Sequence, residues 1–200
     1  MKTTIFTVIA LLGLSVVTTK TTQAATVKND VSTVLTDVKN INKIEVRGNV
    51  QLYVSDGAYD NVKVYNNYYS ESALVQNQNG VLRISSYTKD KLVVWVTAAD
   101  LRSIKAYDNA EVKSFGNLSG IDLNVELNNN AMASLNIDAY NANITVNDNA
   151  KADLKGNATQ CALTYNQSAT VNSSKFETGK MVRTVNNTYN RKNTEQLAGL

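Results

Sequence analysis

Two aspartates and a run of asparagines are the side chains in this sequence best placed to do chemistry. Asp108 and Asp148 sit in the middle of three-residue polar breaks, Tyr107-Asp108-Asn109 and Asn147-Asp148-Asn149, with Asn128-Asn129-Asn130 between them. Carboxylates facing each other across a bond could cleave a glycoside, and carboxylates clustered with amide oxygens could hold Ca²⁺. Their spacing argues against both. The breaks recur in register, so the two aspartates stand two repeats apart, about 9–10 Å on strand spacing. That separation closes no Ca²⁺ cage, and an outward column on a flat face supplies no cleft. The 200 residues contain no His, which removes the commonest general base and metal ligand. Cys161 is alone and falls at an apolar repeat position equivalent to Leu123 and Ala142, so a buried structural thiol is expected rather than a nucleophile. The chain is therefore expected to be no enzyme, with no cofactor and no metal. A polysaccharide lyase or hydrolase working through Asp108 or Asp148 is the least favoured alternative.

The elements that must position these residues are five stretches in a common register. They begin Ile44-Glu-Val46, Ile104-Lys-Ala106, Val125-Glu-Leu127, Ile144-Thr-Val146 and Leu163-Thr-Tyr165; each breaks for three polar residues and then resumes its alternation. A period of two puts every second side chain on one buried face, so each copy reads as two short strands around a tight polar corner. The last four copies start at 104, 125, 144 and 163, giving steps of 21, 19 and 19 residues. A unit of that length cannot bury its own face, which predicts coils stacked on coils. The fold class expected is all-β: a right-handed parallel β-solenoid of about five coils with an inserted antiparallel meander. The absence of Pro suits continuous ladders, and the 27 Asn residues supply turn conformations otherwise left to Gly. In the stack the corner triplets form columns. The third column (Asn49, Asn109, Asn130, Asn149, then Ser168) is expected to be an asparagine ladder, or else a row of amides offered to a ligand.

The rest of the chain divides around this array. Residues 1–24 read as a secretory signal, with Lys2, an apolar stretch from Ile5 to Val17 and a small-x-small end at Thr22-Gln-Ala24. Cleavage would remove Lys2 and Lys20, lowering the net charge from +3 to +1 and leaving no basic block for nucleic acid and no membrane span. A leader (25–43) precedes a single domain over 44–190, and 191–200 form a loose tail. The meander (57–98) contains the hairpin signal Asn79-Gly80. A degenerate sixth copy is expected from Val182, capping the stack or pairing two copies end to end. Tyr65, Tyr68, Tyr69, Tyr87 and Trp95 cluster in sequence and could stack on sugar rings. The speculative ligand-binding set is Tyr65, Tyr68, Tyr69, Asp108, Asn109, Asn129 and Asp148.

The order of parts resembles the secreted bacterial head GIN domain family, described as heads of autotransporter adhesins. The resemblance spans roughly 38–190 and rests on Ile44-Glu-Val-Arg-Gly-Asn-Val-Gln-Leu52, Gly80-Val-Leu-Arg-Ile84, Leu92-Val-Val-Trp-Val-Thr97, Leu101-Arg-Ser-Ile104 and the corners that follow. Family corners carry a Ser-Gly-Ala-Gly-like pattern; here Gly48 is the only corner glycine. The resemblance implies a right-handed solenoid-like domain that is secreted or surface-facing, and it brings no catalytic residues. The resulting expectation is an exported, non-enzymatic, adhesin-like protein, periplasmic, secreted or on the outer surface of a bacterium. Its outer face would bind a cell-surface glycan or an envelope protein, with a carbohydrate-binding module centred on the meander aromatics as the alternative.

Overall fold

The computed structural model describes residues 32–35, 38–65 and 73–186. The signal segment and the C-terminal tail lie outside these residues. Thirteen strands run through them: β1 (Ser32–Leu35), β2 (Lys43–Gly48), β3 (Val50–Asp56), β4 (Asn61–Tyr65), β5 (Ala73–Gln78), β6 (Val81–Ser86), β7 (Leu92–Ala98), β8 (Ser103–Tyr107), β9 (Glu111–Ser114), β10 (Leu118–Leu127), β11 (Met132–Val146), β12 (Lys151–Asn166) and β13 (Thr170–Asn186). There is no helix among the described residues. All thirteen strands belong to one curled sheet of mixed parallel and antiparallel order around a single core.

The repeat copies pair in parallel, each against its equivalent. Ile44 lies beside Ile104, Ile104 beside Val125, Val125 beside Ile144 and Ile144 beside Leu163. After the corner a second column runs Leu52, Val112, Ala133, Ala152, Val171. A third runs Leu118, Ile137, Gly156, Phe176. These columns are buried apart from Val171 and Gly156, which are half-buried. Burying one Leu or Ile is worth about 1.5–3 kcal/mol, and a unit of 19 residues gains this only when its neighbour covers it.

The meander expectation is corrected. Antiparallel pairing is confined to β1–β4, β4–β7 and the β5–β6 hairpin, whereas β6 lies parallel to β2 and β7 parallel to β3. Leu82 and Ile84 extend the column of Ile44 and Val46, and Leu92 and Val94 extend that of Val50 and Leu52. The reason is periodicity: 81–86 and 92–98 alternate with the same period as the repeats, so their apolar faces join the same columns. A longer corner at 87–91 and the hairpin insertion hide them in sequence. The hairpin itself is as expected, with Asn79 (φ 52°) and Gly80 (φ 78°) both left-handed, as a two-residue type I′ connection requires.

The sixth copy is shifted by one residue. A bulge between β12 and β13 near Asp153 and Lys155 sets Arg183, rather than Val182, beside Leu163. A one-residue slip exchanges faces. Val182 consequently points outward and is 53% exposed, while Arg183 takes the place held by Ile144 and Leu163 in earlier copies. There it donates to Met181 Sδ at 2.9 Å and to Ser173 Oγ at 2.9 Å.

Candidate functional site

The corners set the geometry of the outer surface. Four of the five are closed by a backbone bond across the triplet: Ala110 N to Tyr107 O (3.2 Å), Ala131 N to Asn128 O (3.1 Å), Ala150 N to Asn147 O (3.1 Å) and Ala169 N to Asn166 O (3.3 Å). The middle residue bends the chain, and Gly48 (79°), Asp108 (61°), Asn129 (61°) and Asp148 (54°) all have positive φ. Asn and Asp tolerate this conformation because their short polar side chains bond locally. At Gly48 even they could not serve, since a Cβ would lie 2.1 Å from Ser86 O. The next residue's N–H reaches the neighbouring copy, as in Asn130 N to Asp108 O and Asn149 N to Asn129 O, both 2.9 Å.

Side chains of the middle column bond along the stack. Asn129 Oδ1 accepts from Asp108 N at 3.3 Å, and Asp148 Oδ2 accepts from Asn129 N at 2.9 Å. Tyr87 donates its hydroxyl to Asp108 Oδ2 at 2.9 Å, and that bond raises the tyrosine pKa. The column thus uses Asp108, Asn129 and Asp148 to hold its own backbone and one tyrosine. No group of three or more metal-ligating side chains occurs among the described residues.

The first column carries amide-to-amide bonding: Asn147 Nδ2 donates to Asn128 Oδ1 at 2.9 Å, and Asn128 Nδ2 to Glu126 Oε1 at 3.2 Å. Similar steps join Asn143 to Asn124 (3.1 Å) and Asn141 to Asp122 (2.8 Å). Lys105 and Glu126, neighbours in successive copies, form an ion pair at 2.5 Å. Their hydrogen bond is the main cause that pulls the Glu126 carboxyl below and pushes the Lys105 ammonium above their ordinary pKa values. Both stay charged, so neither is poised for proton transfer. Glu111, in the same column as Met132 and Lys151, is held by Lys91, by Gln51 Nε2 at 3.5 Å and by Lys113 at 3.7 Å.

The third column differs from the ladder expected there. Asn49 donates to Thr88 O (3.1 Å) and Lys89 O (3.0 Å), and Ser168 to Asp148 O (2.6 Å). The amides of Asn109, Asn130 and Asn149 bond to no other group among the described residues, and all three are exposed. With Asn49 they form one wall of a shallow groove of ≈ 450 Å³ whose other wall is Lys91, Glu111, Met132 and Lys151. Of these eight, the four asparagines are the column read from sequence as a ladder or a row of amides, and only Asn109 is also in the ligand-binding set. The apolar column following each corner marks where the others stand, because a residue flanking Ala110, Ala131 or Ala150 must face outward.

The aromatic cluster assembles differently. Tyr68 and Tyr69 lie outside the described residues, Tyr65 is half-buried at the end of β4, and Tyr87 is at the corner column. Trp95 instead stacks on Tyr53, centroids 4.5 Å apart at 21°, and meets Phe115 at 5.7 Å and 59°. Tyr53 and Trp95 are cross-strand partners on β3 and β7, so each ring covers a face of the other. Cys161 is buried, and burial pushes its thiol pKa up.

With this arrangement in view, comparison with known proteins is decisive at one level. The family described as "Putative auto-transporter adhesin, head GIN domain" matches residues 40–187. The chain belongs to the head GIN domain family. Crystal structures of proteins described as putative adhesins share the fold of this head GIN domain. One from Bacteroides fragilis superposes with a TM-score of 0.67 at 15% identity, covering 78% of this chain and 75% of that one. Others, from Parabacteroides distasonis (TM-score 0.58, 17% identity, 78% and 77% covered) and Parabacteroides merdae (0.57, 16%, 78% and 77%), are similar. No curated protein matches the chain.

Proposed function

We propose that this head GIN domain is an exported, non-enzymatic recognition module that acts in an adhesin-like way outside the cytoplasm of a bacterium. In this reading the repeats are the coils of a right-handed β-solenoid, and its outer face meets a cell-surface glycan or an envelope protein. One observation carries it: the outward residues of successive copies stand in fixed columns one strand step apart, with backbone bonds rather than loops setting their positions. Such a face suits an extended partner bound through many weak contacts. The family description and the adhesin-like fold relatives support the same reading. Against chemistry, Asp108 and Asp148 are committed to bonds within the column, and the Lys105–Glu126 pair is locked in its charged state.

The test is capture on surfaces. The mature protein, whose sequenced N-terminus should be Ala25, is incubated with immobilised bacterial envelope and with glycan-coated beads. Saturable retention on either supports the module. Turnover of a polysaccharide that is abolished by Asp108→Asn or Asp148→Asn would replace it with an enzyme.

A further inference from the structure

We infer that the groove beside the third corner column is a subsite for a linear, hydroxyl-rich glycan lying along the stack, across the strands. The inference rests on the recognition reading and names its ligand class and its residues. It starts from a contrast in hydrogen bonding. Asparagines in the first column and its flanks spend their amides on each other and on neighbouring carboxylates, whereas the side chains of Asn109, Asn130 and Asn149 stay unbonded among the described residues on an exposed wall. Each free amide offers two donors and an acceptor, the complement of paired sugar hydroxyls, which both donate and accept. The three free amides of Asn109, Asn130 and Asn149 span two strand steps, about 9–10 Å, and Asn49, whose amide is held by Thr88 O and Lys89 O, closes the row. A chain molecule can therefore present its hydroxyls to several of them in turn.

The opposite wall fits the same ligand. Met132, 39% exposed, offers an apolar contact to the carbon face of a ring. Lys91 and Glu111 neutralise each other there. Lys151 adds a donor without an acidic partner among the described residues, while Asp108 and Asp148 hold negative charge on the neighbouring column. The mixed charge favours an uncharged glycan over a strongly acidic one. A peptide is disfavoured by the backbone. Extended peptides bind by pairing with open strand edges, and here the N–H groups of Asn130, Met132, Asn149 and Lys151 are all taken by the preceding copy.

The experiment uses the protein as purified from cells, probed with linear β-glucan, xylan, mannan and N-acetylglucosamine oligomers of increasing length, with affinity read by calorimetry. At least one series should bind, tightening with length until the oligomer spans the amides. Asn130→Ala should weaken it about 3- to 10-fold, and the Asn109→Ala, Asn130→Ala, Asn149→Ala triple variant about 30- to 1,000-fold, at one lost hydrogen bond per site. Because those side-chain amides bond to nothing among the described residues, the melting temperature should not move. Asn157→Ala, an exposed change away from the groove, should bind as the unaltered protein does. Oligomer binding that survives the triple change would overturn this site and leave the recognition module standing. Retention on envelope protein with no oligomer bound would overturn the glycan in the same way. No binding to either would remove both.

Discussion

At the scale of single residues, the corner is where sequence and backbone are most tightly coupled. Asp108, Asn129 and Asp148 hold a left-handed turn that the family elsewhere gives to glycine, and they add side-chain bonds along the stack that glycine could not make. Asn129→Gly relieves backbone strain and loses two long side-chain bonds, from Asp108 N at 3.3 Å and to Asp148 Oδ2 at 3.5 Å, so its stability should stay within about 1 kcal/mol of the unaltered protein in chemical denaturation. Asn129→Val should cost about 1–3 kcal/mol, because a branched side chain resists positive φ. The Lys105–Glu126 pair makes a separate, pH-dependent contribution. Glu126 has a folded pKa below its unfolded value, about 4.3, so the pair stabilises above that pH and its effect is lost as pH falls through the lowered folded value. Glu126→Gln should therefore be slightly less stable at neutral pH, by under about 1 kcal/mol for a pair so exposed, and the difference should vanish in acid melts. Corner roles were legible from sequence because three polar residues recur at one register. The direction each amide takes was not, since it depends on which neighbour it can reach.

At the scale of elements, the strands follow from alternation alone, and so does their parallel pairing across a 19-residue step. What alternation hid was membership. Segments 81–86 and 92–98 carry the repeat's period without its spacing, and read as a meander until their partners β2 and β3 are known. The alanine column after each corner is as tight as its composition implied: Ala110, Ala131 and Ala150 are fully buried. Ala131→Leu adds volume between two copies that cannot move apart without breaking their ladder. It should destabilise by about 1–3 kcal/mol, read from the denaturation midpoint with an unchanged slope. The bulge in β13 left no clear mark in sequence, because Val182 and Arg183 both fit a strand and only the partner's register separates them.

At the scale of the whole molecule, the last copy limits what the stack can do. A weak terminal repeat on its own predicts end-to-end pairing of two copies. Arg183 opposes it by standing in the column of Ile144 and Leu163, with its guanidinium turned to Met181 and Ser173. A second copy stacked there would bury a cation without a counter-charge, a cost of several kcal/mol. The unaltered protein should stay monomeric over a wide concentration range in sedimentation velocity. Arg183→Leu should bring concentration-dependent association, and a variant that stays monomeric would show that this arginine is not what prevents stacking. Function was the least legible scale. An all-β array with no His, and with Asn129 standing between Asp108 and Asp148, narrows the chemistry, but a ligand is chosen by which side chains are left unbonded, and only the assembled columns reveal that.

The uniform register of Met132 on Lys151 and Glu111 on Met132 has one more consequence. Length in this protein is counted in whole units rather than in residues. Duplicating one 19-residue segment between the first and last copies would leave both ends unchanged, lengthen the body by a single notch of about 4.8 Å, and add one more rung to the wall of free amides. Relatives of this chain could thus be graded like rulers, each differing from the next by a whole number of notches.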